Sequence, residues 1–215
     1  IALDGSYAHD GREVRGELAL DRNGNLSAVA FARFHRSDRW QTVLSLRALS
    51  PAYVAPYARI GQDGNRAQNE IGISGAMCYA GFRNSQIRGF IDAFRHPRPT
   101  FRAAAPSIGM AAGLEWEHRR GEWGQLLRYR VKSKQQNIAG FAPHLEFCTT
   151  HRLRARWSYE HSRWSWQASL DATAFHRQTH PQPRWGVMAS FRSKVAISSI
   201  WQAACFGAAF SAPAF

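Results

Sequence analysis

The sequence predicts an all-β fold, an antiparallel up-and-down meander of about a dozen strands forming part of a transmembrane β-barrel. Three observations carry that expectation. Segments of alternating polarity recur every dozen or so residues, separated by turn chemistry. Short turns alternate with long connections, as they do in outer-membrane barrels. One stretch, 150–174, alternates for longer than strands of soluble sheets usually do. In it Leu153, Ala155, Trp157 and Tyr159 share one parity and Arg152, Arg154, Arg156 and Ser158 the other. Successive side chains of a strand point to opposite faces, so one face is greasy and the other basic.

The elements follow in order. The first strand is expected over 1–7. Val14, Gly16, Leu18 and Leu20 mark a second, and 21–25 turns the chain. The Asn23-Gly24 pair there is a hairpin signal because both residues tolerate positive φ. A third strand runs over 26–35, and Trp40, Thr42, Leu44 and Leu46 mark a fourth. Ile71, Ile73, Gly75, Met77 and Tyr79 form the fifth, and 83–85 turns into a sixth over 87–94. Ile108, Met110, Ala112, Leu114 and Trp116 oppose Glu115 and Glu117 on the seventh. After a turn at 119–122, Leu127, Tyr129 and Val131 oppose Arg128, Arg130 and Lys132 on the eighth.

Residues 150–174 form the next hairpin. A two-residue turn at His161-Ser162 sets Glu160 opposite Arg163, and counting outward pairs Arg156 with Gln167, Arg154 with Ser169 and Arg152 with Asp171. Trp185, Val187, Ala189 and Phe191 make a further strand, and 200–210, apolar on both parities, closes the series. The long connections are 50–68, with Pro51, Tyr53, Pro56, Tyr57, Gly61 and Gly64, and 96–106, with Pro97, Pro99 and Pro106.

Composition narrows the function classes. The chain has 215 residues and a formal charge of +13. No apolar run approaches ~20 residues, which excludes a transmembrane helix. Clustered Arg invites a nucleic-acid reading, since guanidinium groups neutralise phosphates. Eight Trp, six Tyr and thirteen Phe among strand-like segments favour a basic lumen or basic loops meeting anionic lipid. Cys78, Cys148 and Cys205 are odd in number and far apart, so neither a disulfide framework nor a zinc site is indicated, and no cofactor is expected. The chain starts at Ile1 within a strand-like pattern and ends in Ala214-Phe215 without a finished amphipathic strand. Residues 1–215 therefore read as a single β-barrel segment internal to a longer protein, so a missing signal peptide says nothing about export.

The candidate sites follow from parity. Arg128, Arg130 and Lys132 on one strand and Arg152, Arg154 and Arg156 on the next form adjacent basic rows, which repel unless water or anions lie between them. They are the candidate anion-contacting lumen residues, for lipid phosphate, an acidic polysaccharide or a DNA strand, and lumen wall is the more economical reading. Trp116, Tyr129, Trp157, Tyr159, Trp164, Trp166 and Trp185 are the candidate membrane-interface aromatics, because indole prefers the head-group zone. Asp92 reads as a lumen-facing structural acid. Glu115 and Glu117 share a face at a spacing of ~6–7 Å, as a glycosidase pair does, but nothing else builds a sugar cleft. No GxSxG, GxGxxG or P-loop occurs, and the nine His lack metal-site spacing, so an enzyme is not expected.

Taken in order, the segments resemble a known family. The runs RGELALDRNGNLSAVAFARF and WQTVLSLRALSPAYVAPYARIGQDGNRAQNEIGI are similar to the barrel region of competence-type helix-hairpin-helix outer-membrane β-barrel proteins of Gram-negative bacteria. Gly16, Glu17, Arg47, Pro51, Tyr53, Tyr57, Asn69, Glu70 and Gly72 occupy the motif positions. IRGFIDAFRHPRPTFRAAAPSIG then matches the family's Asp-x-Phe-Arg-x-Pro and Pro-Ser-x-Gly. LRYRVKSK, HRLRARWSYEHS and IWQAACFGAAFSAPAF follow in the family's order. The helix-hairpin-helix domains would precede Ile1, and Gln202-Ala203 stands where the family tends to carry Tyr-Glu. The resemblance implies a bacterial outer-membrane location. Its partners would be membrane lipid and an anionic cargo, or DNA held by the N-terminal domains lacking here. The expected function is a non-enzymatic role in transport or surface assembly with a link to DNA uptake. The alternative is a secreted soluble β-sandwich or carbohydrate-binding module with exposed Trp.

Overall fold

Every strand pairs with its sequence neighbours and with nothing else. A computed structural model describes the chain apart from residues 55–61, 64–66, 139–143, 199 and 213–215. Twelve antiparallel strands form one sheet in the order β1 to β12. They are β1 (Ala2–His9), β2 (Arg12–Leu20), β3 (Leu26–Ser37), β4 (Trp40–Leu49), β5 (Glu70–Phe82), β6 (Ser85–His96), β7 (Ser107–Arg120), β8 (Trp123–Asn137), β9 (Leu145–Glu160), β10 (Trp164–Arg177), β11 (Arg184–Ala196) and β12 (Gln202–Ser211). The described residues contain no helix. The all-β meander of about a dozen strands is thus the observed fold. β1 and β12 are not paired with each other, so the sheet is not closed.

The connections sort by end. Turns 10–11, 38–39, 83–84, 121–122 and 161–163, together with 197–201, lie at one end, and the longer 21–25, 50–69, 97–106, 138–144 and 178–183 at the other. Local chemistry explains the tight ones. Asp10 and Gly11 both have positive φ, 45° and 71°, the condition for a two-residue turn matching strand twist. The turn at 21–25 joins β2 and β3 as a hairpin, as expected, with Gly24 at positive φ and Asn23 not. There the Asp21 carboxylate accepts hydrogen bonds from the Asn23 and Asn25 backbone N–H groups at 2.8 and 2.9 Å, organising a five-residue loop.

The register of the 150–174 hairpin differs from the sequence count by two residues. His161 and Trp164 exchange backbone hydrogen bonds, so the turn is Ser162-Arg163. Arg156 then faces Ser169, Arg154 faces Asp171 and Arg152 faces Thr173. A slip of two residues returns every side chain to its own face, so alternation could not discriminate between the registers. β9 also begins at Leu145, before the alternating stretch that announced it.

The two faces differ in character. One carries Leu18, Leu46, Ile73, Ile91, Met110, Leu114, Leu153 and Leu170, each 44–67 % exposed. The other carries the ion pairs. The buried apolar residues are few, and Leu49, Ala67, Phe94, Ala103 and Cys148 cluster with buried Glu70, His96, Ser107 and Glu146 under the long connections. The Arg47 and Glu70 side chains are each 1 % exposed, and Asp63, from the described part of the 50–69 connection, packs against Glu70.

Candidate functional site on the polar face

Register decides which charges meet. On β4, Arg47 donates from Nε to Glu70 Oε1 at 2.6 Å and from both terminal nitrogens to Asp92 at 2.8 and 3.1 Å. Glu70 also accepts the Asp63 backbone N–H at 2.8 Å, and His96 Nε2 lies 3.5 Å away. The guanidinium crosses Gly72 so closely that a Cβ there would stand 2.5 Å from its central carbon. Phe94 crosses Gly109 in the same way, at 2.5 Å. Asn69, with φ 56°, clamps Arg98 through two hydrogen bonds of 2.8 and 2.9 Å and so ties the two longest connections together.

Seven of the residues at motif positions of the family resemblance sit in this cluster: Arg47, Asn69, Glu70, Gly72, Asp92, Phe94 and Gly109. Tyr57, together with Pro56, Gly61 and Gly64, lies outside the described residues. Asp92 is engaged by the Arg47 guanidinium. No family model matches the chain, no curated protein aligns with it, and no solved structure matches it.

The cluster extends to β8 through the 50–69 connection. Asp63, 4 % exposed, is ion-paired with Lys132 and with Lys134, the latter at 3.2 Å. Burial pushes the Asp63 carboxyl up, but the two ammonium groups outweigh it and hold the carboxyl below its ordinary value. Lys132 is therefore ion-paired with a loop residue, a partner that strand parity does not reveal.

The basic rows are neighbours. Arg128 faces Arg154, Arg130 faces Arg152, and Arg156 faces Leu126. Their partners are unequal. Glu115 accepts from Arg88 at 2.6 Å and from Arg128, and Glu117 accepts from Arg88 at 2.8 Å. The two glutamates are thus committed to arginines. Arg154 reaches Asp171 at 2.5 Å. Among the described residues, Arg130, Arg152, Arg156 and Arg184 have no carboxylate within ion-pairing distance. Like charges directly opposite destabilise a sheet, so this unmatched group runs against stability.

The aromatic residues divide between two levels of the apolar face. Trp116, Trp157, Tyr159, Trp164 and Trp166 lie toward the short-turn end, joined there by Trp40, Tyr79 and Trp123. Their rings touch along the sheet, Trp40 to Tyr79 at 4.3 Å and Trp123 to Tyr159 at 4.9 Å. Trp185 lies toward the long-connection end, and Tyr129, seventh of the fifteen residues of β8, lies near mid-strand. There Tyr129 Oη is 2.7 Å from His151 Nδ1, and the rings of His151 and His176 stack at 5.5 Å. Tyr159 and His151 are eight residues apart on β9, about 26 Å along the strand. The His pair was not singled out by sequence; its signal was outward parity within an otherwise apolar row.

The cysteines are free, with Cys148 buried and Cys205 exposed. Among the described residues, no cluster of His, Cys, Asp and Glu could hold a metal ion.

Proposed function

We propose that this sheet is wall of a bacterial outer-membrane β-barrel, a non-enzymatic protein of transport or surface assembly. The carrying observation is the apolar face. Twelve strands at ~4.8 Å spacing and a band ~25 Å tall span roughly 1,400 Å². Monomeric soluble proteins rarely expose contiguous apolar patches above a few hundred Å². An aromatic row lies toward the short-turn end of the band, as indole's preference for the head-group zone leads one to expect. A charged opposite face suits a water-filled lumen, where adjacent arginine rows are hydrated. The link to DNA uptake rests on the family resemblance alone. A soluble sandwich would need a second sheet over the apolar face, and the described residues form one sheet.

Single-cysteine labelling tests this reading in the protein as it occurs in cell envelopes. Cysteine at Leu153 or Leu170 should react only with lipid-soluble reagents, and cysteine at Arg152 or Arg154 only with water-soluble ones. Equal labelling of both sets by a water-soluble reagent, with protein extracted by urea without detergent, would refute it.

A further inference from the structure

We propose that the polar face of β8 to β11 holds a binding site for a soluble anion bearing several phosphoryl groups, with Arg130, Arg152 and Arg184 as its recognition residues. The corrected register is the starting point. Pairing runs Gly113, Arg130, Arg152, Thr173, Gly186 across five strands. The two facing arginines are thus flanked by Gly113, which the Phe90 ring covers, on one side and by the small residues Thr173 and Gly186 on the other. One row nearer the long connections, Arg184 faces Phe175. The three guanidinium groups border one cavity of about 600 Å³, with Thr173 supplying a hydroxyl.

The charge there is uncompensated. Arg128 and Arg154 border the same cavity but are neutralised by Glu115 and Asp171. Arg130, Arg152 and Arg184 are exposed and lack carboxylate partners among the described residues. One of the three is also held in place. The Phe90 ring lies across Gly113, where a Cβ would stand 2.3 Å from it, and the Arg130 guanidinium packs 5.5 Å from that ring's centroid. A stacked guanidinium keeps its donors aimed outward and loses less freedom on binding.

Ligand class follows from charge density. Three cations within reach of one another are balanced by about three negative charges in a small volume. A phosphoryl group brings up to two charges and three strong acceptors, whereas a carboxylate brings one charge. The guanidinium fork matches phosphoryl oxygens in bidentate fashion. Two or three linked phosphoryl groups therefore satisfy the site, and a monocarboxylate does not. The site depends on the polar face alone, so its test and the membrane test fail separately.

The experiment is calorimetric titration of inorganic tripolyphosphate into the full 215-residue chain folded in detergent micelles, at two salt concentrations. Binding is expected, weaker at the higher salt because exposed charges are screened. Arg130→Gln with Arg152→Gln should weaken it at least tenfold, and so should Arg184→Gln alone, while Arg15→Gln, on β2 and paired with Glu13, should leave it unchanged. Citrate should bind at least tenfold more weakly than tripolyphosphate, and phosphatidic acid doped into the micelles should not displace it. The ligand-free thermal melt should be unchanged or higher in the arginine variants, which shows that they fold. No binding by the unaltered chain, or equal binding by both arginine variants, overturns the site. Equal citrate binding overturns the phosphoryl class, and displacement by the lipid overturns a soluble ligand.

Discussion

Two regions of the same polar face treat arginine in opposite ways. Beneath the long connections, Arg47 is 1 % exposed and shared between Glu70 and Asp92, with Asp63 ion-paired to both Lys132 and Lys134 nearby. On β8 to β11, Arg130 and Arg152 face each other in the open with no acid between them. The first region shows what a guanidinium does when it holds a fold together: it is buried, saturated with acceptors and laid over a glycine. The second shows arginine whose acceptors must come from outside the sheet. A buried pair is dismantled only at high cost because its partner is left charged and dry, whereas exposed like charges already repel and their removal relieves the sheet.

The largest test of this contrast is Arg47→Met. It should lower unfolding stability in urea titrations of vesicle-inserted protein by about 3–5 kcal/mol, the usual consequence of stranding a buried carboxylate. Arg152→Met in the same assay should cost nothing or stabilise slightly. Equal losses would break the comparison.

A smaller effect concerns pH. The carboxyl of Asp63 is held below its ordinary value, so its contribution is complete above pH ~4 and fades as pH falls through the lowered folded value. Protection of the 50–69 backbone amides, taken relative to their intrinsic exchange rates at each pH, should therefore fall below pH ~4 and stay flat between pH 5 and 8. Asp63→Asn should show the lower protection across that range. Backbone exchange around Arg130 and Arg152, whose guanidinium groups do not titrate in this range, should show no such step.

The smallest effect sharpens the register. A double-mutant cycle between Arg154 and Asp171 should give a coupling of about 0.2–1 kcal/mol, as for partly exposed ion pairs. The cycle between Arg152 and Asp171 should give none. The reverse result would return Asp171 to Arg152 and remove one cation from the unmatched group.

That register is where sequence reading stopped short. A turn at His161-Ser162 and one at Ser162-Arg163 place every residue of 150–174 on the same face, so parity is blind to the choice. The choice nonetheless decides whether Arg152 or Arg154 is neutralised. The partner of Lys132 was hidden for another reason: Asp63 arrives from a connection with no periodicity. Arg47, Glu70 and Asp92 are each visible in the sequence as charged residues, and the resemblance covers all three, but their meeting depends on how far one long side chain reaches across β5.

Alternation by itself determined the fold class, the number of strands, the face each residue occupies and the adjacency of the two basic rows. It could do so because side-chain direction along a strand has a period of two and nearest-neighbour pairing suffices for a meander. Only the tertiary structure decided which charges are matched. Register shifts of two residues and the path of the 50–69 connection are invisible to that period. They divide the arginines into those that hold the protein together and those left open to an anion.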